Sequence, residues 1–176
     1  MSNIDTIGYA KTGRLFTATN VSAKILTVVG TAMTGLIVYN PTGSNKLLSF
    51  MTAGFTWGTI PPSAQAIGIA ISPSQPVIPS SNTVGGALIK SATGGPGSSV
   101  AQAWDISTLG VACVVARWFG GAAWITGGSG EAPYMMVDKI DGELGLVPGA
   151  AAAFCMIGGT GPTGMASLSF IEIDVA

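Results

Sequence analysis

The sequence predicts an all-β protein, a sandwich or barrel of antiparallel strands. Short runs rich in Val, Ile, Thr and aromatic residues alternate with turn signals about every 8–12 residues, which indicates roughly ten strands. No stretch shows a convincing 3.6-residue apolar period, so no helix is predicted. Gly accounts for 26 of the 176 residues, about twice its usual share. No internal repeat or domain boundary is visible, and the length suits one domain.

A strand, a turn and a second strand span residues 35–50 and set the pattern for the chain. Residues 36–39 are apolar on both faces, which is typical of a strand between two layers. Asn40 and Pro41 end this strand, because proline has no N–H for a β-ladder and fixes φ for a turn. The second strand, Lys46–Trp57, is long, and later segments repeat the pattern with other turn residues.

The other predicted strands share a high content of β-branched, aromatic or small apolar side chains. They cover residues 15–19, 24–29, 66–71, 84–92, 100–109, 111–119, 134–140, 143–147, 150–157 and 165–175, with a short segment at 124–125. In 66–71 isoleucine alternates with Ala and Gly, so the small face predicts close approach of another backbone or layer. In 165–175 the apolar side changes between Phe170 and Ile171, which predicts a bulge or burial of both faces.

Asp141 and Gly142 form the strongest hairpin signal in the chain. Both residue types accept the positive φ that a type I′ turn requires at its two central positions. We therefore predict a hairpin that joins the strands at 134–140 and 143–147.

The composition favours an oligomer. Charged residues make up 9% of the chain, against about 25% in a typical soluble domain, and the mean hydropathy is +0.56. Prolines and glycines interrupt each apolar run before the ~20 residues that a membrane helix needs, so no membrane partner is predicted. An oligomer that buries much of its surface fits better than a set of aggregation-prone strands or a monomer with large apolar patches.

Three further features of the sequence bear on the partners and the compartment of the protein: its net charge, its N-terminus and its cysteines. The net charge is −1 and Lys and Arg are scattered singly, so no nucleic-acid partner is expected. The first residues lack a charged segment followed by an apolar one, so no signal peptide is expected. Cys113 and Cys155 lie in apolar runs, which favours buried free thiols over a disulfide in this non-secretory context.

The common catalytic constellations are missing from the sequence. The chain has no histidine, which removes Ser-His-Asp and Cys-His catalysis and every His-ligated metal site. Residues 159–164 match G-x-G-x-x-G, but the 12 residues that follow read as a strand, so no βαβ unit fits and we interpret them as a loop. We expect no catalytic residue, no metal and no cofactor, and hence no enzyme.

Three acidic residues, Asp138, Asp141 and Glu143, cluster around the predicted turn. A weak ion site and a carboxylate pair for glycoside hydrolysis are two functional interpretations. The spacing does not match an EF-hand loop, whose ligands fall at alternate positions and end in a Glu. We favour turn chemistry with solvated charge.

The aromatic residues are candidates for binding surfaces. Trp57, Trp104, Trp118 and Trp124 fit core or subunit-interface positions better than a sugar-stacking surface. Arg117 beside Trp118 is a candidate interface anchor, since Arg and Trp are frequent hot-spot residues; an Arg at a strand edge is the alternative.

Two regions resemble small jelly-roll virion proteins of tailed bacteriophages. Gly35-Leu36-Ile37-Val38-Tyr39-Asn40-Pro41, Gly43-Ser44 and Lys46 look like their opening hairpin. Asp141-Gly142-Glu143-Leu144, Pro148-Gly149 and Phe170-Ile171-Glu172-Ile173 are similar to their ending. The resemblance covers roughly residues 15–175. It implies a jelly-roll β-sandwich, usually trimeric, that serves as a decoration or cement protein, a head fibre or a tail component.

The leading expectation is a capsid decoration (cement) protein that binds and stabilises a phage head. The resemblance implies a homotrimer, the major capsid protein as partner, and a location on the virion head surface after assembly in the host cytoplasm. A receptor-binding or fibre module is the alternative, and a glycan-acting enzyme is a remote one. Residues 15–176 form the sandwich, and residues 1–14 form an arm whose Ile4, Ile7 and Tyr9 are predicted to anchor on a neighbouring subunit or the capsid.

Overall fold

The computed structural model describes residues 6–59, 65–73, 87–91, 98–122, 135–158 and 163–175. These ranges contain one short helix and twelve strands. They are α1 (Thr6–Lys11), β1 (Leu15–Asn20), β2 (Lys24–Ile25), β3 (Ala32–Tyr39), β4 (Lys46–Trp57), β5 (Gln65–Ser72), β6 (Ala87–Ser91), β7 (Gln102–Thr108), β8 (Val114–Ala122), β9 (Met135–Lys139), β10 (Gly145–Leu146), β11 (Ala151–Met156) and β12 (Thr163–Asp174).

The strands form two antiparallel sheets. Sheet A has the order β10-β4-β12-β1-β6, with β9 also on β4 and β2 on β12, and sheet B has the order β7-β3-β11-β5-β8. Strand β1 pairs with β12 in sheet A, and β3 pairs with β11 in sheet B. Early strands therefore pair with late ones, alternately in the two sheets, which is jelly-roll topology. The prediction of an all-β jelly-roll sandwich is confirmed.

Sheet B is buried on both faces. The main core lies between the sheets, and its aromatic members are Phe16, Phe50, Phe55, Trp57, Phe154 and Phe170. A second apolar cluster covers the other face of sheet B and includes Met33, Tyr39, Trp104, Cys113 and Cys155. All six residues of β11, the middle strand of sheet B, are consequently buried.

The first strand–turn–strand segment has the predicted strands but not the predicted pairing. Strand β3 belongs to sheet B and β4 to sheet A, so the opening hairpin is wrong and the turn is a corner between sheets. Asn40 holds this corner, because its buried Nδ2 donates to the carbonyls of Lys46 at 2.7 Å and Leu146 at 2.8 Å. Its Oδ1 accepts from the Ser44 hydroxyl at 2.7 Å.

The turn at Asp141 and Gly142 is confirmed, and the hairpin around it is wrong. Both residues have positive φ, 50° and 86°, and the Glu143 N–H donates to the Ile140 carbonyl at 3.0 Å, as a tight turn requires. However, β9 and β10 both pair with β4 and not with each other. The turn therefore connects β9 and β10, which lie one after the other along the same edge of β4.

The pairing of β12 with β4 contains a β-bulge next to Phe170, close to the predicted position, and the extra residue of the bulge belongs to β4. Ser169 pairs with Thr52 and Phe170 with Phe50, which leaves Met51 of β4 unpaired on β12. In β12, Phe170, Ile171 and Glu172 are all buried, so both faces are covered there as the sequence predicted. The inward positions of β4 change from even to odd numbers after Met51. One residue inverts the face of a strand because side chains alternate with a period of two.

Other differences are local. Helix α1 was not predicted. The strand expected at 24–29 is only Lys24–Ile25, because Leu26 turns into the main core and the chain then leaves sheet A. The strand segment at 124–125 and the loop at 159–162 lie outside the described residues.

Candidate interaction surface

Arg117 joins the two sheets. Its Nε donates to Asp138 Oδ2 at 2.6 Å, its Nη2 to Asp138 Oδ1 at 3.2 Å, and its Nη1 to Glu143 Oε2 at 2.5 Å. Arg117 lies on β8 of sheet B and Asp138 on β9 of sheet A, so the ion pairs close one side of the sandwich. Hydrogen bonds to Asp138 and then Glu143 raise the pKa of Arg117 above its already high value. Its role as an interface anchor stays a prediction.

These ion pairs also decide between the interpretations of the acidic cluster. Two of the three carboxylates, Asp138 and Glu143, bind the Arg117 guanidinium, and a cation would have to displace it. Asp141 lies exposed on the turn. Among the residues that the structure describes, no group of three or more Cys, Asp or Glu side chains is placed to hold a metal ion. The geometry favours turn chemistry with paired or solvated charge.

The tryptophans do not form one surface. Trp57 and Trp104 are buried, the first against Phe55 with ring centroids 4.9 Å apart and the second stacked on Tyr39 at 5.6 Å. Trp118 is 41% exposed on the outer face of sheet B. Trp124 lies outside the described residues.

The Trp118 ring lies on Gly68 of the neighbouring strand. A Cβ on Gly68 would stand 2.7 Å from a carbon of this ring and 2.6 Å from the Arg117 carbonyl oxygen. The small face of β5 therefore accepts a close neighbour, as the alternation in 66–71 predicted. This contact presents an aromatic ring at the margin of sheet B.

The N-terminal candidates are placed on a short helix. α1 packs on β1 and ends at Lys11, and Gly13 just after it has a φ of 71°, the left-handed conformation that glycine favours after a helix. Ile7 is 66% exposed and Tyr9 is half-buried, and Tyr9 borders an open groove of about 480 Å³ together with Gly8 and Thr12. Ile4 lies outside the described residues. Anchoring through these side chains stays a prediction.

The segment after α1 is tied to the last strand. The Arg14 carbonyl accepts from the Glu172 N–H at 3.0 Å, and the Arg14 guanidinium lies 2.8 Å from an oxygen of Asp174. Lys46 also binds Asp174, and these two cations, Lys46 first, hold the pKa of that carboxyl below its usual value.

An apolar groove that sequence reasoning missed crosses the outer face of sheet A. It measures about 280 Å³, and the exposed side chains of Met135, Val137 and Met165 rim a floor formed by Gly54 and Ser167. The signal in the sequence was the alternation in β9, where Met135 and Val137 face outward and Met136 faces the core.

The charged residues are sorted between the sheets. The strands of sheet B contain two of the chain's 15 charged residues, Asp105 and Arg117. Asp105 is fully buried with Lys24 Nζ 2.7 Å from its Oδ2, a contact without good hydrogen-bond geometry and therefore electrostatic. The other described charges lie on α1, on sheet A or in adjacent turns, at Lys11, Arg14, Lys24, Lys46, Lys90, Asp138, Lys139, Asp141, Glu143, Glu172 and Asp174.

Two uncharged loops meet beside sheet B, and Leu109 and Cys113 of the second loop pack in the apolar cluster on the outer face of the sheet. Residues 26–31 and 109–113 bond to each other, with N–H groups of Leu109 and Cys113 donating to the carbonyls of Thr31 at 2.9 Å and Gly30 at 3.1 Å. We call this face with its two loops the neutral side. Its exposed apolar side chains, placed by loop position or strand alternation, are Val28, Val29, Ile106, Val111, Trp118 and Ile157.

Both cysteines are free thiols buried in the apolar cluster on the outer face of sheet B, as expected from the apolar runs in which they lie. Burial, with the neighbouring Cys155, raises the pKa of Cys113 to about 12. Burial raises the pKa of Cys155 to about 11. Thiols that stay protonated are weak nucleophiles and weak metal ligands.

Comparison with known proteins does not indicate a family or a function for this chain. The chain matches no protein-family model, no curated protein and no solved structure. Within the described ranges, no helix has the length and apolar character required to cross a bilayer.

Proposed function

We propose that this chain is a virion structural protein, a capsid decoration (cement) protein that binds and stabilises the head of a tailed phage, and not an enzyme. The neutral side carries the proposal: its described residues include no exposed charged side chain, and they present large apolar side chains such as Trp118 and Ile157. Such a face suits a subunit that other subunits cover. The phage-like turns at 35–46 and 141–149 support the same class.

The partners follow from the same surface. We propose a homotrimer on the outside of the virion head, attached to the major capsid protein. Because the chain has 15 charged residues and a net charge of −1, long-range electrostatic steering is weak and contacts depend on shape and apolar area.

The direct test is to add purified protein to phage heads that lack it and to image them by electron microscopy. We expect regular density on the head lattice and a higher temperature of head rupture. Heads that already carry the full complement are the control and should bind no more. Binding to tails alone, or to neither particle, would contradict a decoration role.

A receptor-binding or fibre module is the second candidate, and the half-exposed Trp118 ring on Gly68 favours it. An exposed aromatic ring that packs against a sheet is a suitable platform for a sugar or a receptor side chain. In that case Trp118→Ala should abolish binding to host cells, whereas Trp57 and Trp104, which are buried, offer no comparable platform.

A further inference from the structure

We propose that the side chains of Lys24 and Asp105 condense to an amide, an intramolecular isopeptide bond that ties the two sheets together. The inference is a covalent modification of this chain and does not depend on the proposed decoration function. Lys24 lies in β2, which pairs with β12 of sheet A, and Asp105 lies in β7, an outermost strand of sheet B. The bond closes the β7 margin of the sandwich, as the ion pair between Arg117 and Asp138 closes the β8 margin.

The carboxylate of Asp105 lacks the surroundings that a buried anion needs. Asp105 is fully buried, and no described residue donates a hydrogen bond to either of its side-chain oxygens. Ala103 of the main core and Trp104 of the outer cluster precede it on β7, so by alternation its carboxylate faces the space between the sheets. A buried ion pair without further hydrogen bonds is poorly compensated for the loss of water. Conversion to an amide removes both charges and therefore supplies a driving force.

The Lys24 amine is in position to react. Its Nζ lies 2.7 Å from Asp105 Oδ2, without good hydrogen-bond geometry. Oδ2 is bonded to Cγ, the carbon that the amine attacks. Two groups held this close inside one folded chain react with effective molarities far above those of separate molecules, on the order of 10⁵–10⁸ M in well-oriented cases.

The backbone fixes both residues on either side of the contact. The Ile25 carbonyl, next to Lys24, accepts a hydrogen bond from the Thr34 hydroxyl. Thr34 in turn pairs with Ile106, the neighbour of Asp105 on β7. Folding has therefore already supplied the loss of entropy that is needed to bring the amine and the carboxyl group together.

The condensation needs no further reactant. Nζ transfers one proton to an Asp105 oxygen, and the neutral amine and acid that result are favoured over ions by burial. The amine attacks Cγ, the C–O bond breaks, and that oxygen leaves as water with two of the three hydrogens that Nζ carried. The third hydrogen stays on the amide nitrogen, and nothing is oxidised or reduced. The Lys24 side chain is 29% exposed, so the water has a route to solvent.

A second Lys–Asp pair in the chain is a matched control. Lys46 Nζ donates a hydrogen bond to Asp174, and the Asp174 side chain is 57% exposed. Water solvates both of these ions and opposes the loss of a water molecule, so we expect this pair to remain ionic.

Mass spectrometry of the purified full-length chain tests the inference. The wild type should be lighter than its sequence mass by one water molecule, whereas Lys24→Arg, with a guanidinium that is not a nucleophile, should have its full sequence mass. Trypsin should fail to cleave after Lys24 and should cleave after Lys46. One tryptic fragment should then consist of residues 15–46, cleaved at neither end internally, joined to residues 91–117.

The position of the lost water decides the outcome, because Asp141 and Gly142 can lose the same mass by closing to a cyclic imide. A wild type at full sequence mass, a loss that maps to Asp141 or to the pair of Lys46 and Asp174, or an equally light Lys24→Arg variant would each overturn the inference. None of these results depends on binding to heads, so this inference and the decoration function are tested separately.

Discussion

Asn40 shows how a single polar side chain organises the change of sheet. It is buried, and its amide satisfies two backbone carbonyls from segments that approach the corner between β3 and β4. Its own backbone N–H donates to Ala150 at 2.9 Å, and its carbonyl accepts from Gly149 at 2.7 Å. The corner is therefore held by hydrogen bonds where apolar side chains cannot satisfy the backbone.

Asn40→Ala should lower the free energy of unfolding by about 2–4 kcal/mol, because it leaves the buried Leu146 carbonyl and the partly buried Lys46 carbonyl without their donor. Urea unfolding followed by circular dichroism measures the change. Asn45→Gly is the control, since Asn45 is exposed with φ of 53°, a conformation that glycine accepts readily. Equal loss in the two variants would show that the Asn40 amide is not what holds the corner.

The two buried thiols lead us to predict how the stability of the fold depends on pH. Unfolded thiols titrate near 9, while burial raises the pKa of Cys113 to about 12 and of Cys155 to about 11. The folded state therefore keeps protons that the unfolded state loses. The stability that this contributes is complete below pH 9 and disappears as the pH rises toward 12.

We expect the Cys113→Ala, Cys155→Ala variant to lose about 1–3 kcal/mol at pH 7, the cost of small core deletions. Between pH 8 and pH 10.5, its urea midpoint should fall less than that of the wild type. The variant retains every Tyr and Lys, so the difference isolates the thiols. Parallel midpoint curves would contradict the prediction, and unfolding of the wild type by reducing agent alone would indicate a disulfide.

At the scale of elements, sheet B depends on how closely β8 approaches β5. Register shifts on either side of Gly68 and Ile69 place two extra residues in β8, and the Trp118 ring fills the space above Gly68. Bulges in an outermost strand also hinder pairing with a further strand, which protects such a sheet from edge-to-edge aggregation.

Gly68→Ala should destabilise the fold by about 1–3 kcal/mol, because the new methyl group would meet the backbone of Arg117, which has no rotamer to move aside. Fluorescence of the exposed Trp118 should change with it. Gly158→Ala is a suitable control, since nothing lies within 4 Å of its Cβ position. A stability equal to that of the control would mean that β8 moves freely away from β5.

At the scale of the whole molecule, most of the charged side chains among the described residues lie on one side of the sandwich. Sheet A, its turns and α1 hold nearly all the described charge, whereas exposed apolar side chains occur on both sides, with Trp118 on sheet B and Met135 on sheet A. The terminal segment belongs to the charged side, where Arg14 and Asp174 pair.

Deleting residues 2–12 should leave the trimer folded with unchanged strand content by circular dichroism, while attachment to undecorated heads weakens. The main contact of α1 is with β1, and its Ile7 side chain is exposed, so the sandwich should not depend on the helix. The deletion retains Arg14, whose carbonyl accepts a hydrogen bond from β12. Ile7→Ser in the full chain is the matched variant that keeps the helix. If the shortened chain decorates heads as tightly as the full one, the arm does not contribute to binding.

Local properties were open to prediction from the sequence. Strand β4 was predicted with its exact bounds, Lys46–Trp57, and positive φ at Asp141 and Gly142 was predicted, because side-chain alternation and turn conformation depend on a few adjacent residues. The lack of histidine and the scarcity of charge also needed no structure. Of the candidate site, the half-exposed Trp118 beside Arg117 was identified, but not the surface to which it belongs.

Only the tertiary structure decided which strands pair and on which side of the sandwich the charged side chains lie. The pairing of β3 with β11 rather than β4, the extra residue Met51, and the partners of Arg117 all depend on segments that are distant in the chain. Several pairings satisfy the same alternation, and the two layers select the one that buries both faces of sheet B. The neutral side arises in this way, because a sequence shows that charges are few but not that folding places them together on the other sheet.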